Sequence, residues 1–382
     1  MATRPSTLPS PDSFAAEHSA RLQALIAREI EAAGGWIPFD RYMELALYAP
    51  GLGYYAAGAR KFGDSAAGGD FVTAPEISPL FASALAAQVA QVFEHLPARI
   101  VEFGAGSGVL ARDLLAGLAA RGIEVEGYSI VELSPELAAR QRAVLDRRVV
   151  EWLAGPPGEF EGVMIANEVL DVMPVKAFAK RGGIVAERGV GLERDRLVLA
   201  ERAAGRELSD AVAAIEAEVG PLPDGYGSEV GLAAAAWMRS AAAWLARGAL
   251  LAIDYGFPRR EYYHPQRLMG TLMCHYRHHA HADPLWLPGL NDITAHVDFT
   301  AMADAAHGGG LEVLGYTTQA HFLLNCGLLE QLGTDHSPQR ANEAQRLLSE
   351  AEMGELFKVL AVGRGIDRHL LGFARGDRTE RL

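Results

Sequence analysis

The eight residues VEFGAGSG at positions 101–108 decide the fold class that this sequence predicts. Their glycines, at positions 104, 106 and 108, let the backbone turn tightly and approach a bound molecule, because no side chain stands in the way. An apolar run, Arg99–Phe103, leads into the turn, and a helical pattern at residues 109–120 follows it. A strand, a glycine-rich turn and a helix in this order are typical of nucleotide-binding α/β folds.

Strand and helix patterns alternate along much of the chain. Ser134, Pro135 and Glu136 begin a helix with a cap, a proline at the first position and an acid in the first turn. This alternation predicts an α/β fold with a parallel sheet covered by helices, which residues 171–247 and 257–310 interrupt. Further candidate strands occupy residues 127–132, 162–166, 249–255, 311–316 and 369–374.

The composition excludes several classes of protein. The chain has 382 residues, of which 49% are hydrophobic, and a net charge of −13. This apolar content is too high for a fully disordered chain, and the acidic charge opposes nucleic-acid binding through bulk electrostatics. Two cysteines, Cys274 and Cys326, are too few for a disulfide scaffold. The most apolar stretch, residues 231–255, is interrupted by Arg239 and Arg247, so we expect no membrane span and a cytoplasmic protein.

Two acids near the glycines distinguish between cofactors. Glu132 ends the second strand, where a carboxylate can accept hydrogen bonds from both hydroxyls of a ribose. The glycine spacing is G-x-G-x-G, whereas a dinucleotide site has G-x-G-x-x-G, with its last glycine where this chain has Val109. Glu102 would repel a pyrophosphate but suits the sulfonium and ammonium of S-adenosyl-L-methionine (SAM). The pattern therefore favours SAM over NAD, and a turn whose glycines serve only packing is the remaining alternative.

The chain resembles the MidA-like family of class I SAM-dependent methyltransferases, which includes a complex I assembly factor that methylates protein arginine in mitochondria. The resemblance implies a Rossmann-like, mostly parallel sheet of seven strands with an N-terminal helical and lid region and an inserted α+β substrate lobe. It is carried by VEFGAGSG (101–108), VELSP (131–135), GDFVTAPEISPLF (69–81), ANEVLDVMPV (166–175), IDYG (253–256), the stretch 270–299 and GELFKVLAVG (354–363).

On this basis the chain divides into consecutive parts. Within the inserted lobe, the alternating residues 175–203 predict antiparallel hairpins. The parts are a disordered lead-in (1–12), N-terminal helices with a lid loop (13–96), the first half of the SAM-binding domain (97–170), the inserted substrate lobe (171–247), the fifth sheet strand (248–256), a His-rich loop region (257–310) and the C-terminal part of the sheet (311–382).

The resemblance also implies an activity. It implies methyl transfer from SAM, with S-adenosyl-L-homocysteine (SAH) as product, to an arginine of a respiratory complex I subunit or a similar protein, in the cytoplasm or, in a eukaryote, the mitochondrial matrix. Two other functions stay open: a SAM-binding assembly factor or chaperone without catalysis, and a small-molecule methyltransferase. Ala82-Ser83, where the family has Gly-Glu, is the departure that keeps the first open. The large insert argues against the second, since a small substrate needs only a pocket. The oligomeric state is left open.

The residues expected to bind SAM come from several segments. The N-terminal loop, including Glu76, is expected to close over SAM and exclude water, although a surface loop without contact to the site is the alternative. The expected SAM ligands are Glu102, Gly104, Ala105, Gly106, Gly108, Glu132, Leu133, Asn167, Asp70, Phe71 and Thr73.

Catalytic candidates follow the fourth strand in the sequence NEVLD. A guanidinium acceptor is cationic, and carboxylates such as Glu168 and Asp171 bind it through paired hydrogen bonds. They share a face if the segment is helical. Asn167 would accept from the SAM ammonium or hold the substrate nitrogen; in the alternative interpretation it only caps a helix with Glu168 in its first turn. Asp254 and Tyr255, at the end of the fifth strand, are further candidates.

Seven of the 12 histidines lie between His264 and His307. A cluster of this kind raises the question of a metal site. No cysteine pair and no H-E-x-x-H motif support one, so we predict no metal site. We favour a substrate-facing loop, with an intramolecular polar network as the alternative. His296 is the member expected to position or deprotonate a nucleophile.

Overall fold

The computed structural model describes residues 8–57, 73–333, 337–366 and 369–382. The chain divides into two compact units, and both are discontinuous in sequence. Among the described residues, the first unit comprises 8–57, Asp171–Ala234 and Arg259–His296, and the second comprises 73–170, Ala235–Pro258 and Val297 onwards.

Several helices begin where the sequence supplies a cap. Asp12 accepts from the backbone N–H of Ala15 at 2.8 Å, and Ser134 accepts from that of Leu137 at 3.3 Å. The α-helices of the described residues are α1 (Ser13–Ala32), α2 (Phe39–Tyr48), α3 (Ala74–Ile77), α4 (Pro79–Phe93), α5 (Val109–Ala119), α6 (Pro135–Val144), α7 (Arg206–Val219), α8 (Leu232–Trp244), α9 (Arg259–Tyr262), α10 (Phe299–Gly308), α11 (Gln319–Asn325), α12 (Leu328–Leu332) and α13 (Pro338–Leu348).

Strands occur in six of the predicted stretches, 99–103, 127–132, 162–166, 175–203, 249–255 and 311–316, with most boundaries shifted by a few residues. No strand was predicted at 36–38, 227–230, 273–298 or 357–364. Sixteen strands occur among the described residues. They are β1 (Trp36–Pro38), β2 (Arg99–Phe103), β3 (Gly127–Val131), β4 (Val150–Leu153), β5 (Phe160–Asn167), β6 (Lys176–Arg181), β7 (Ile184–Glu193), β8 (Arg196–Ala203), β9 (Gly227–Val230), β10 (Leu245–Phe257), β11 (Met273–Tyr276), β12 (His279–His281), β13 (Asp292–Thr294), β14 (Val297–Asp298), β15 (Glu312–Thr318) and β16 (Phe357–Arg364).

The second unit is built on a mixed sheet in the order β15-β16-β10-β5-β2-β3-β4, with β14 paired to the end of β10. The predicted α/β class is confirmed. Strands β4, β3, β2, β5 and β10 are parallel, whereas β16 is antiparallel to both of its neighbours. The described part of this sheet thus has eight strands, where the resemblance implied seven, mostly parallel.

One closing strand lies elsewhere than expected. Residues 369–374, predicted as a strand, contain a 3-10 turn at Leu371–Phe373, and β16 provides the strand. All but the last residue of β16 are buried. A strand buried on both faces forms a continuous apolar run, which periodicity alone does not separate from a buried helix segment and which carries no signal for direction.

The first unit contains a five-stranded sheet, β1-β7-β6-β9 with β8 also paired to β7, and a three-stranded sheet, β12-β11-β13. The hairpins predicted at residues 175–203 are confirmed as β6, β7 and β8, which pair antiparallel. Leu22, Ile26 and Ile30 recur at helical spacing along α1 and are fully buried in the core of this unit.

The units divide the chain at places that differ from the expected ones. Residues 73–96 belong to the second unit, because α4 packs against α5. Residues 235–247 and 297–310 belong to it as well, since α8 leads into β10 and α10 packs against β15 and β16. Residues 1–7 of the expected lead-in lie outside the described residues. No helix in the described ranges has the length and hydropathy that a membrane crossing requires.

Candidate functional site

The glycine turn of the second unit has the backbone geometry that its sequence predicts. Gly104, Gly106 and Gly108 have positive φ angles of 64°, 53° and 83°, and α5 begins directly after Gly108. An added Cβ at Gly104 would lie 3.1 Å from a methyl of Val169, a tight contact that a shift of a few tenths of an ångström would relieve, and one at Gly108 would lie 3.4 Å from its nearest neighbours. The glycines are therefore required mainly by the left-handed backbone, which other residues rarely adopt.

Glu102 lies in β2, just before the turn, and is only 2% exposed. The hydroxyl of Tyr128 donates a hydrogen bond to Glu102 Oε2 at 2.7 Å. Burial raises the pKa of Glu102 to about 7; the Tyr128 bond opposes this rise and the charge of Glu132 adds to it. Tyr128 was not among the predicted site residues; it lies on the neighbouring strand β3, two residues before Ile130, which is the residue that pairs with Glu102.

Glu132 follows β3, and both of its carboxylate oxygens are held by the protein. The backbone N–H of Ser134 donates to Oε1 at 2.9 Å, and Gln141 Nε2 donates to Oε2 at 2.9 Å. Burial raises the pKa of Glu132, and these two hydrogen bonds oppose the rise. The adjacent Leu133 is 84% exposed. An oriented carboxylate beside an exposed apolar side chain fits the ribose and the base of a nucleoside.

Gln141 of α6 connects this acid to the glycine turn. Its Nε2 also donates to the carbonyl oxygen of Gly106 at 2.9 Å, and its Oε1 accepts from Trp152 Nε1 at 2.9 Å. Gln141 was not among the predicted site residues. The available signal was its place one helical turn after Leu137, where a polar residue interrupts the buried stripe of α6.

Asn167 is the last residue of β5, and no helix follows it. Glu168 has a positive φ of 53°, and residues 168–171 form an irregular turn. The interpretation of Asn167 as a helix cap is therefore wrong, and so is the shared helix face of Glu168 and Asp171. Asn167 Oδ1 is buried without a hydrogen-bond partner among the described residues. A buried acceptor of this kind at the carboxyl end of a parallel strand is suited to a ligand N–H.

The turn after β5 is held by β10 instead of by helical hydrogen bonds. Asp254 Oδ2 accepts from the backbone N–H of Leu170 at 2.9 Å and from that of Val169 at 3.2 Å. The N–H of Glu168 donates to the carbonyl of Ile253 at 2.8 Å. The fully buried Asp254 thus supports the backbone that carries Glu168, a positioning role that its place in the sequence did not indicate.

Two other catalytic candidates, Asp171 and His296, lie in the first unit, whereas Tyr255 lies in the second. The Asp171 carbonyl accepts from the N–H of Ala295 at 2.9 Å, which brings Asp171 and His296 to neighbouring stretches. The N–H of His296 donates to Thr271 Oγ1 at 3.1 Å. The second unit, in contrast, brings together the glycine turn, Glu102, Glu132 and the segment Asn167-Glu168. Their relation to Asp171 and His296 remains a prediction.

Two members of the expected lid, Asp70 and Phe71, lie outside the described residues. Thr73 directly precedes α3, and its carbonyl accepts from the N–H groups of Glu76 and Ile77. Helix α3 packs against α4, α5 and α13. A contact of Thr73 with SAM stays a prediction.

The His-rich stretch contains the hairpin of β11 and β12, which pairs with β13. His281 Nε2 shares a hydrogen bond with Asn291 Oδ1 at 3.1 Å, and its Nδ1 accepts from the N–H of Asp283 at 3.3 Å. Arg277 and His278 form the exposed turn between β11 and β12, both with positive φ. His281 thus belongs to an intramolecular polar network. Across the described ranges, no three His, Cys, Asp or Glu side chains are placed to hold a metal ion.

Known proteins resemble this chain along most of its length. Residues 84–317 match the Methyltransf_28 family, described as "Putative S-adenosyl-L-methionine-dependent methyltransferase". A crystal structure of a Burkholderia thailandensis protein bound to S-adenosyl-homocysteine is 51% identical, with a TM-score of 0.93, over 98% of this chain and 100% of that one. A native crystal structure of a COG1565 superfamily protein from the same organism is 50% identical, with a TM-score of 0.90 and the same coverage.

More distant relatives carry names that state an activity. The protein arginine methyltransferase NDUFAF7, mitochondrial, of Danio rerio is 29% identical over 86% of this chain and 84% of its own length. The Homo sapiens protein of the same name is 28% identical over 86% of this chain and 80% of its own. Because the family match alone spans more than half of the chain, this protein belongs to the MidA-like family of SAM-dependent methyltransferases, with SAM as its methyl donor.

Proposed function

We propose that this enzyme transfers the methyl group of SAM to an arginine side chain of a protein. The observation that carries the proposal is the segment Asn167-Glu168 beside the glycine turn. It offers a buried amide oxygen without a partner among the described residues, next to a carboxylate held on a left-handed backbone. An acceptor nitrogen with several N–H groups suits this pair, and the named relatives are protein arginine methyltransferases.

Each residue of the site has a distinct proposed role. The turn of Gly104, Ala105, Gly106 and Gly108 lies against the methionine part of SAM, and Glu102 opposes its ammonium charge. Glu132 accepts hydrogen bonds from the ribose hydroxyls, and Leu133 packs against the base. SAM supplies a methyl group on a sulfonium whose thioether leaves without acid assistance. Asn167 and Glu168 localise the guanidinium, and Glu168 accepts its proton; alignment of this kind contributes about 7–11 kcal/mol to a transfer reaction.

Asp171, His296 and the lid residues Asp70, Phe71 and Thr73 complete the proposed site. Asp171 supplies a second carboxylate, His296 positions the acceptor, and the lid excludes water. The acceptor we propose is an arginine of a respiratory complex I subunit or a similar protein. The enzyme would act in the cytoplasm of a bacterium or in the matrix of a mitochondrion.

The test is transfer of label from [methyl-³H]SAM to proteins of a lysate that lacks this enzyme. After acid hydrolysis, we expect the label in methylarginine. Glu168→Gln should lower the transfer rate about 100-fold or more, since positioned acid–base groups contribute that much, while SAH affinity stays nearly constant. Glu161→Gln, at an exposed position on the opposite end of β5, is the matched control and should transfer at the wild-type rate.

Other outcomes would contradict the proposal in distinct ways. Label in lysine or glutamine would overturn the arginine acceptor. Label confined to small molecules would support a small-molecule methyltransferase. SAH binding with equal, background transfer by wild type and Glu168→Gln would support a SAM-binding assembly factor instead.

A further inference from the structure

We propose that Gln141 is a positioning residue that sets the enzyme's affinity for the ribose hydroxyls of its cofactor. It acts through Glu132, by holding this carboxylate and the Gly106 carbonyl at a fixed distance from one another. The inference rests on the proposed role of Glu132 as the ribose ligand, and it does not depend on which acceptor the enzyme methylates.

The first support is that one side chain serves both parts of the cofactor site. Gln141 is fully buried, and its single Nε2 donates to Glu132 Oε2 and to the Gly106 carbonyl, both at 2.9 Å. Glu132 and Gly106 belong to different βα turns of the sheet, and the pairing of their strands ends with the hydrogen bond from the Gly104 N–H to the Val131 carbonyl at 2.9 Å. A buried amide with both N–H groups bonded links the two turns directly.

The second support is that Trp152 fixes the orientation of the amide. An indole N–H only donates, so Gln141 must turn its oxygen towards Trp152 Nε1, 2.9 Å away. Both amide N–H groups then face the two acceptors. A flipped amide would place its oxygen against Glu132 and the Gly106 carbonyl and would leave the indole unpaired. The guanidinium of Arg142 lies over the Trp152 ring, 4.9 Å from its centroid.

The third support is the arrangement around Glu132 itself. Gln141 holds one carboxylate oxygen and the N–H of Ser134 holds the other, so the carboxylate plane is fixed before a ligand binds. Two ribose hydroxyls can then donate to the remaining lone pairs without reordering the side chain. The Gln141 bond also opposes the rise of the Glu132 pKa that burial causes, which favours the charged form.

The experiment compares two ligands that differ in one hydroxyl, SAH and its 2′-deoxy analogue, by calorimetry. The wild-type enzyme should prefer SAH by about tenfold or more, as expected for a hydrogen bond to a charged group. Gln141→Leu should bind SAH about tenfold more weakly and reduce the preference to about threefold or less. Trp152→Phe, which frees the Gln141 amide to flip, should show a preference for SAH that lies between those of the wild type and of Gln141→Leu.

The matched control is Gln88→Leu. Gln88 is also a fully buried glutamine of the second unit, but its amide binds Gln91 and the N–H of Gly372. A structural role alone predicts that both variants lower the melting temperature and neither changes the preference between the ligands. Our proposal predicts that Gln88→Leu keeps the wild-type preference, even where it lowers stability.

Each result decides the matter. If Gln141→Leu keeps the preference for SAH, or weakens both ligands equally, the inference is overturned while Glu132 remains the ribose ligand. If the wild-type enzyme shows no preference, the assignment of Glu132 fails and the inference fails with it. If Gln141→Leu does not fold, the Trp152→Phe comparison decides by the same criterion.

Discussion

Glu102, which we propose lies opposite the ammonium of SAM, is buried at a cost to the stability of the fold. Its carboxylate is buried, and its pKa rises from 4.5 in the unfolded chain to about 7. Between these values the folded state holds a proton that the unfolded state has released, so stability falls as pH rises through this window. Above pH 7 the burial of the charge costs about 3 kcal/mol, since one pKa unit corresponds to about 1.4 kcal/mol.

We therefore expect Glu102→Gln to increase the free energy of unfolding by about 1–3 kcal/mol at pH 8 and to change it little at pH 5, where Glu102 is protonated in the fold. The same variant should bind SAH more weakly at pH 8, because it lacks a charge opposite the ammonium. Urea unfolding and calorimetry at both pH values measure these effects, with Glu161→Gln as control. A variant less stable than the wild type at pH 8 would contradict the prediction.

At the scale of elements, the turn after β5 is the feature that local sequence describes least well. The order Asn-Glu-x-x-Asp favours a capped helix, yet Glu168 has a left-handed backbone. Asp254 of β10 binds the N–H groups of Val169 and Leu170, which would otherwise need partners from the turn itself. A contact with the neighbouring strand thus outweighs the local preference for a helix.

Asp254→Asn should loosen this turn. Both carboxylate oxygens accept hydrogen bonds, Oδ2 from the turn and Oδ1 from the N–H of Tyr255 at 2.9 Å, whereas an asparagine has one acceptor oxygen. Its amide N–H groups therefore face a backbone donor in either orientation. We expect about 1–3 kcal/mol of lost stability and a fall in kcat of about tenfold or more, with a smaller change in SAH affinity. Glu161→Gln, which alters an exposed residue near the start of β5 in the same unit, should leave stability, kcat and SAH affinity unchanged. A wild-type kcat for Asp254→Asn would argue against the positioning role.

At the scale of the whole molecule, the chain forms two units, each with its own apolar core. The glycine turn, Glu102, Glu132 and Asn167 all belong to the second unit. Part of the net charge of −13 is therefore concentrated where we propose that a cationic cofactor binds. Asp254 is an exception, because its carboxylate is used by the backbone of the turn.

This division predicts that a core substitution in the first unit lowers stability without weakening cofactor binding. Ile26→Ala, in the core of the first unit, should cost about 2–5 kcal/mol of stability and change the Kd for SAH by less than about threefold. SAH should raise the hydrogen-exchange protection of β2, β3 and β5 in the second unit, since ligands stabilise the state that they bind. Loss of SAH binding in a folded Ile26→Ala protein would contradict this separation.

The sequence by itself determined the α/β class, the glycine turn and the SAM-type pairing of that turn with Glu132. These signals are local: a left-handed backbone requires glycine, and a strand or a capped helix is visible in neighbouring residues. The direction of β16, the boundaries of the units, the turn at Glu168 and the contacts of Gln141 were decided only by the tertiary structure. Asp254 accepts a hydrogen bond from the N–H of Leu170, 84 positions earlier in the chain, and Gln141 donates one to the carbonyl of Gly106, 35 positions earlier. Such contacts depend on which strands lie side by side and in which register, and no local pattern records that.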